Sequence, residues 1–90
     1  MNILKDKVCI ITGGAGSIGL ATARLFLAEG AKVMLTDLHR NSLDAAAKAL
    51  DAGGNLETCA ADVSNAASVR GMVGTTVRCW GEIDVVFSNA

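Results

Sequence analysis

The sequence predicts an α/β fold, a doubly wound parallel sheet with strand order 3-2-1-4. Three observations carry that expectation. Four short apolar runs alternate with three helical patterns, so the order reads β-α-β-α-β-α-β. The runs are nearly continuous in apolar residues, as in strands covered on both faces. A glycine-rich turn, Gly13-Gly14-Ala15-Gly16-Ser17-Ile18-Gly19, joins the first run to the first helix. Right-handed crossovers then place the second and third strands on one side of the first and the fourth on the other.

Each element has its own signal. The first strand is expected from Lys7 to Thr12. A helix follows from Ser17 to Glu29, where Ile18, Ala21, Thr22, Leu25 and Ala28 recur at helical spacing and Gly30 supplies the stop. The second strand, Lys32 to Thr36, ends at Asp37. The second helix, Asn41 to Asp51, carries Leu43, Ala46, Ala47 and Leu50 on one face, and Gly53-Gly54 is expected to close it. The third strand runs from Leu56 to Ala61. Ser64 is the expected N-cap of a helix over 65–80, with Val69, Met72, Val73, Val77 and Trp80 as its apolar face. Gly71 and Gly74 each cost that helix about 1 kcal/mol relative to Ala, so packing must hold it. Gly81 ends it, and Asp84 to Ser88 forms the fourth strand before Asn89-Ala90.

Composition bounds the function. The chain has 90 residues, 51% of them hydrophobic, which supports one small domain with a modest core. With no Tyr, no Pro and 3% aromatics, that core must be aliphatic. A net charge of −1 gives no electrostatic footprint for nucleic acid or an anionic membrane. No apolar run approaches the roughly 18 residues that span a bilayer. No secretory signal opens the chain, so a cytoplasmic location is expected. Cys9, Cys59 and Cys79 lack metal-ligand spacing and read as small hydrophobes in a reducing compartment. His39 has no cluster around it, so no metal site is expected.

Four features lie at the ends of successive strands. Gly14-Ala15-Gly16-Ser17-Ile18-Gly19 fits G-x-G-x-x-G between strand and helix. Glycines there let the chain turn sharply and let backbone N–H groups approach a pyrophosphate, which the helix N-terminus also favours. The competing reading is a tight turn whose glycines serve packing alone. Asp37 ends the second strand, where a carboxylate accepts hydrogen bonds from both hydroxyls of an adenine ribose and repels a 2′-phosphate. That favours NAD, although Arg40 lies near enough to leave NADP open. Asp62-Val63 has the chemistry to meet the edge and face of an adenine, but Asp is also a common turn or cap residue. Asn89 often only satisfies local backbone. Ligands of open α/β sheets bind in the crevice at these strand ends, beside the switch point between the first and fourth strands.

Over essentially all 90 residues the sequence resembles the N-terminal half of a short-chain dehydrogenase/reductase, a family with a Rossmann-like fold. The resemblance is carried by Leu4-Lys5-Asp6-Lys7-Val8, Thr12-Gly13, Gly19, Asp37, Asp62-Val63 and Ser88-Asn89-Ala90. The family pattern is T-G-x-x-x-G-x-G; here Ser17 takes the middle glycine position and Gly16 stands one place earlier. The resemblance implies that Gly13, Ser17, Ile18 and Gly19 wrap the pyrophosphate and that Asp37 holds the adenosine ribose. It implies adenine at Asp62 and Val63, and the nicotinamide-side ribose near Asn89 and Ala90. With Gly16 and Leu38, these are the candidate cofactor contacts.

By the same resemblance, the function is NAD(H)-dependent oxidation of an alcohol or reduction of a ketone by a homo-oligomer, a tetramer or dimer. The family's chemistry needs a Ser and a Tyr-x-x-x-Lys pair further along. This chain has no Tyr, so no catalytic residue is assigned within it, and it is expected to be the cofactor-binding portion of a longer enzyme. The competing readings are a non-catalytic nucleotide-binding or regulatory module and an inactive truncated product. An apolar fourth strand at the sheet edge leads us to expect self-association of the isolated chain.

Overall fold

A computed structural model describes residues 3–89. Its elements are β1 (Val8–Thr12), α1 (Ser17–Ala28), β2 (Lys32–Asp37), α2 (Arg40–Leu50), β3 (Leu56–Ala60), α3 (Ala66–Trp80) and β4 (Val85–Ser88), with a short 3-10 turn at Gly53–Asn55. The strands form one parallel sheet in the order β3-β2-β1-β4. This is the doubly wound arrangement the sequence predicts.

The β-branched and aliphatic residues of β1 suit a strand buried on both faces. Alternation then divides the core in two. Cys9, Ile11, Val33 and Leu35 pack with Ala23, Leu43 and Ala46 on the side of α1 and α2. Ile10 and Met34 pack with Ala61 and Met72 on the side of α3, joined by Val69 and Trp80. All five residues of β1 are buried, as befits a central strand, whereas β4 alternates between half-buried and exposed. Register sets the ends level: Thr12 lies opposite Thr36 on β2 and Ser88 on β4, and Asp37 lies opposite Ala60 on β3. The entry of β4 is pinned by Asp84, whose carboxylate accepts from the Val8 N–H at 2.8 Å while its own N–H donates to the Val8 carbonyl at 2.8 Å. The opening segment docks on the far end of α1, where the Leu4 N–H donates to the Glu29 carbonyl and the Asp6 N–H to that of Gly30.

Four local expectations need correction. On α1 the predicted face points outward: Ile18 is 63% and Leu25 60% exposed, while Gly19 and Ala23 are buried and Leu20, Phe26 and Leu27 pack on the core. The helix is apolar almost all round, so periodicity alone cannot choose a face; contact of Gly19 with the turn fixes the rotation. On α3, Met72 and Thr76 are the buried residues, and Val73 and Val77 are exposed. Thr76 can be buried because its hydroxyl donates to the Met72 carbonyl at 2.9 Å. Asn65, not Ser64, caps α3, its side-chain oxygen accepting from the Ser68 N–H at 3.0 Å. Asp51 in a left-handed conformation (φ 46°) closes α2 ahead of Gly53-Gly54.

Among the described residues, one buried side-chain polar atom has no partner. The Thr36 side-chain hydroxyl, on a residue with no exposed surface, makes no hydrogen bond. An unsatisfied buried hydroxyl costs about 1–3 kcal/mol. Thr36→Val is therefore expected to stabilise the chain by about 1 kcal/mol, read as a higher urea midpoint at unchanged slope. A lower midpoint would mean that the hydroxyl has a partner in solution.

Candidate functional site

The strand ends enclose an open cleft of about 260 Å³ lined by Gly13, Thr36, Asp37, Leu38, Ala61, Asp62, Val63 and Asn89. Six of these are among the sequence-derived candidates, so four successive strand ends do converge. Thr36 and Ala61 are additions. Thr36 reads in the sequence as the last strand residue before Asp37 but carries no site signal there; its register opposite Thr12 sets it at the cleft. Gly16, Ser17, Ile18 and Gly19 do not line this cleft; they form the start of α1 beside it. Ala90 lies outside the described residues.

The glycine turn is built by close backbone approach. Gly13 has φ +65°, and a Cβ on it would overlap the Asn89 carbonyl oxygen and lie 3.0 Å from its carbon. A Cβ on Gly19 would strike the Gly13 carbonyl oxygen and lie 2.8 Å from the Gly14 Cα. Gly16 is different: φ is −76°, and the nearest atom to such a Cβ is the Gly13 carbonyl oxygen at 3.5 Å, an ordinary contact. A Cβ on Gly14 would strike the buried Leu35 side chain, 2.6 Å from its Cγ, so the geometry demands glycine at 13, 14 and 19 but not at 16. Gly19 is buried beneath the turn, in a packing position. No side chain caps α1, whose first turn carries no acidic residue. That leaves the helix N-terminus polarised for an anion.

The turn is laced to the end of β2. The Gly14 N–H donates to the Thr36 carbonyl at 2.8 Å. The Ala15 N–H donates to Asp37 Oδ2 at 3.0 Å, and the Leu38 N–H donates to Asp37 Oδ1 at 2.7 Å. A carboxylate offers about four acceptor sites, so each oxygen of Asp37 keeps one for an incoming hydroxyl. At β4, the Asn89 N–H donates to the Thr12 hydroxyl at 3.1 Å, tying the tips of β1 and β4 together. Arg40 turns away, donating to the Thr58 hydroxyl at 2.7 Å and pairing with Asp44 at 3.5 Å.

On the β3 side, Asp62 makes a local turn. Its Oδ1 accepts from the Ser64 hydroxyl at 2.6 Å and the Ser64 N–H at 2.9 Å. Hydrogen bonds from the Ser64 hydroxyl, and then from its N–H, hold the Asp62 carboxyl below its ordinary pKa. These bonds favour the ionised form, so their contribution is present above the ordinary Asp pKa and fades as pH falls through the lowered value. In an NMR titration Asp62 should protonate below the usual Asp midpoint, and Ser64→Ala should raise that midpoint. An unchanged midpoint would show that Ser64 does not stabilise the carboxylate. Leu38 (57% exposed) and Val63 (44% exposed) present apolar surface to the same cleft. The result is a cleft with apolar walls and two carboxylates, whose lining includes no Lys or Arg.

Fold and cleft together define a Rossmann-like domain. Residues 7–90 match the family model for short chain dehydrogenase, and the chain belongs to that family. It is 44% identical over 87 residues to tropinone reductase-like 1 of Erythroxylum coca, covering 97% of this chain and 31% of that relative. A short chain dehydrogenase from Bacillus anthracis superposes with a TM-score of 0.91 at 33% identity, over 97% of this chain and 36% of that one. The N-domain of a bacterial malonyl-CoA reductase, solved with NADP, superposes with a TM-score of 0.87 at 36% identity, over 92% of this chain and 16% of that one. The chain spans about a third of the length of the curated relatives it matches. No helix among the described residues is long and apolar enough to cross a membrane, and no group of His, Cys, Asp and Glu among them is arranged to hold a metal ion.

Proposed function

We propose that residues 1–90 are a single dinucleotide-binding domain, the N-terminal portion of a dehydrogenase that oxidises an alcohol or reduces a ketone with NAD(H). The observation that carries the reading is the Asp37 carboxylate at the β2 tip, with one acceptor site left on each oxygen. A ribose diol supplies two donors to those sites, whereas a 2′-phosphate replaces one of those donors with negative charge and acceptor oxygens that the carboxylate repels. The engagement of Arg40 with Thr58 and Asp44 further supports NAD over NADP.

In this reading Gly13, Gly16, Ser17 and Ile18 receive the pyrophosphate, with Gly19 keeping the turn closed behind them. Leu38 and Val63 flank the adenine, and the free oxygen of Asp62 accepts from its amino group. Asn89 and Ala90 border the nicotinamide-side ribose. The cofactor supplies the hydride chemistry when bound; these residues bind and orient it. Three free cysteines fit a reducing, cytoplasmic setting, and a homo-oligomer is proposed for the full enzyme. The test is equilibrium titration with NAD and NADP. NAD should bind more tightly than NADP, and an equal or reversed order would overturn the cofactor assignment.

A further inference from the structure

The contact between Asp37 and Ala15 has a consequence that ribose binding does not require. Asp37 Oδ2 accepts from the Ala15 N–H at 3.0 Å across 22 residues of chain, from the end of β2 to the middle of the glycine turn. Beside it the Gly14 N–H donates to the Thr36 carbonyl at 2.8 Å. These bonds join the turn to the neighbouring strand where Gly13, at positive φ, leaves β1. Without the carboxylate, the Ala15 N–H loses its acceptor, and among the described residues the Gly14 N–H is the hydrogen-bond donor that still ties this part of the turn to β2.

We infer that Asp37 is a positioning residue for the glycine turn, holding it in its anion-receiving shape before any ligand arrives. The inference rests on the dinucleotide reading for the ligand alone; the contact itself belongs to the free chain. It couples the two halves of the site. A ribose at Asp37 and a phosphate at the turn share one hydrogen-bonded bridge, so loss of the Asp37 carboxylate weakens binding of a phosphate group that never touches it.

The decisive probe is inorganic pyrophosphate, which carries no ribose. Coulomb's law alone predicts that Asp37→Ala tightens pyrophosphate, because a negative charge is removed. The positioning role predicts the opposite: about threefold weaker binding by calorimetry, with amide exchange at Ala15 at least tenfold faster in the ligand-free protein. Asp37→Asn keeps an oxygen able to accept from Ala15 and should restore much of both effects, at similar thermal stability. Tighter pyrophosphate binding in Asp37→Ala, or unchanged Ala15 exchange, would overturn the inference. Failure of the wild-type chain to bind either NAD or pyrophosphate would instead overturn the dinucleotide reading, and Ala15 exchange would still decide the role of Asp37 in the turn.

Discussion

Replacing Gly13 by Ala is expected to destabilise the chain by about 3 kcal/mol and to abolish measurable NAD binding. Two costs combine. A side chain at φ +65° costs about 1–2 kcal/mol. The new Cβ must also displace the Asn89 carbonyl, and overpacking of this kind costs about 1–3 kcal/mol. The displaced Asn89 is held to Thr12, so the strain spreads to the tips of both β1 and β4. Gly16→Ala is the matched control. Nothing lies nearer than 3.5 Å to its Cβ, and its φ is negative, so its stability should match the parent within about 0.5 kcal/mol. Urea unfolding of the two variants checks the pair; equal destabilisation would mean that the turn is not built as described.

Asp37→Ala is expected to weaken NAD by about tenfold to a hundredfold, the range set by hydrogen bonds to a charged group. Its effect on NADP should be much smaller, because the repulsion of the 2′-phosphate disappears with the carboxylate. The preference for NAD therefore narrows. Calorimetric titration of both cofactors reads this directly, and unchanged affinities for both would remove Asp37 from the site. Part of the loss should come through the turn, by way of Ala15, and part through the ribose.

The strands were legible because β-branched and aliphatic residues cluster in four short runs and a parallel sheet buries both faces of its central strands. Their order followed from crossover handedness. Gly30 and Gly81 were legible as helix ends, and both take positive φ. The facing of α1 was not legible. Leu20, Leu25, Phe26 and Leu27 give the helix apolar surface on several sides, and a tertiary contact at Gly19 decides among them. Asp51 was hidden for a different reason: an Asp in the left-handed region has no sequence signal beside a following Gly-Gly pair.

At the site, Asp37, Asp62 and Asn89 were legible as polar residues at strand ends. Which glycines matter was not. Spacing fits both Gly14-x-Gly16 and Gly13 with Gly19; the proximity of Asn89, of the Leu35 side chain and of the turn's own carbonyl requires glycine at 13, 14 and 19 and leaves 16 free. Asp62 shows how a local and a ligand role can share one side chain. Ser64 occupies one oxygen, which the sequence expressed only as a turn preference.

The most direct measurement is a map of backbone amide shifts as NAD is added to the isotope-labelled chain. Large shifts are expected at Gly13–Ile18, Asp37–Leu38, Asp62–Val63 and Asn89, the tips of four parallel strands. Shifts concentrated instead in the groove between α1 and α2, at Leu20, Ser42 and Ala46 without Asp37 and Asn89, would contradict the account.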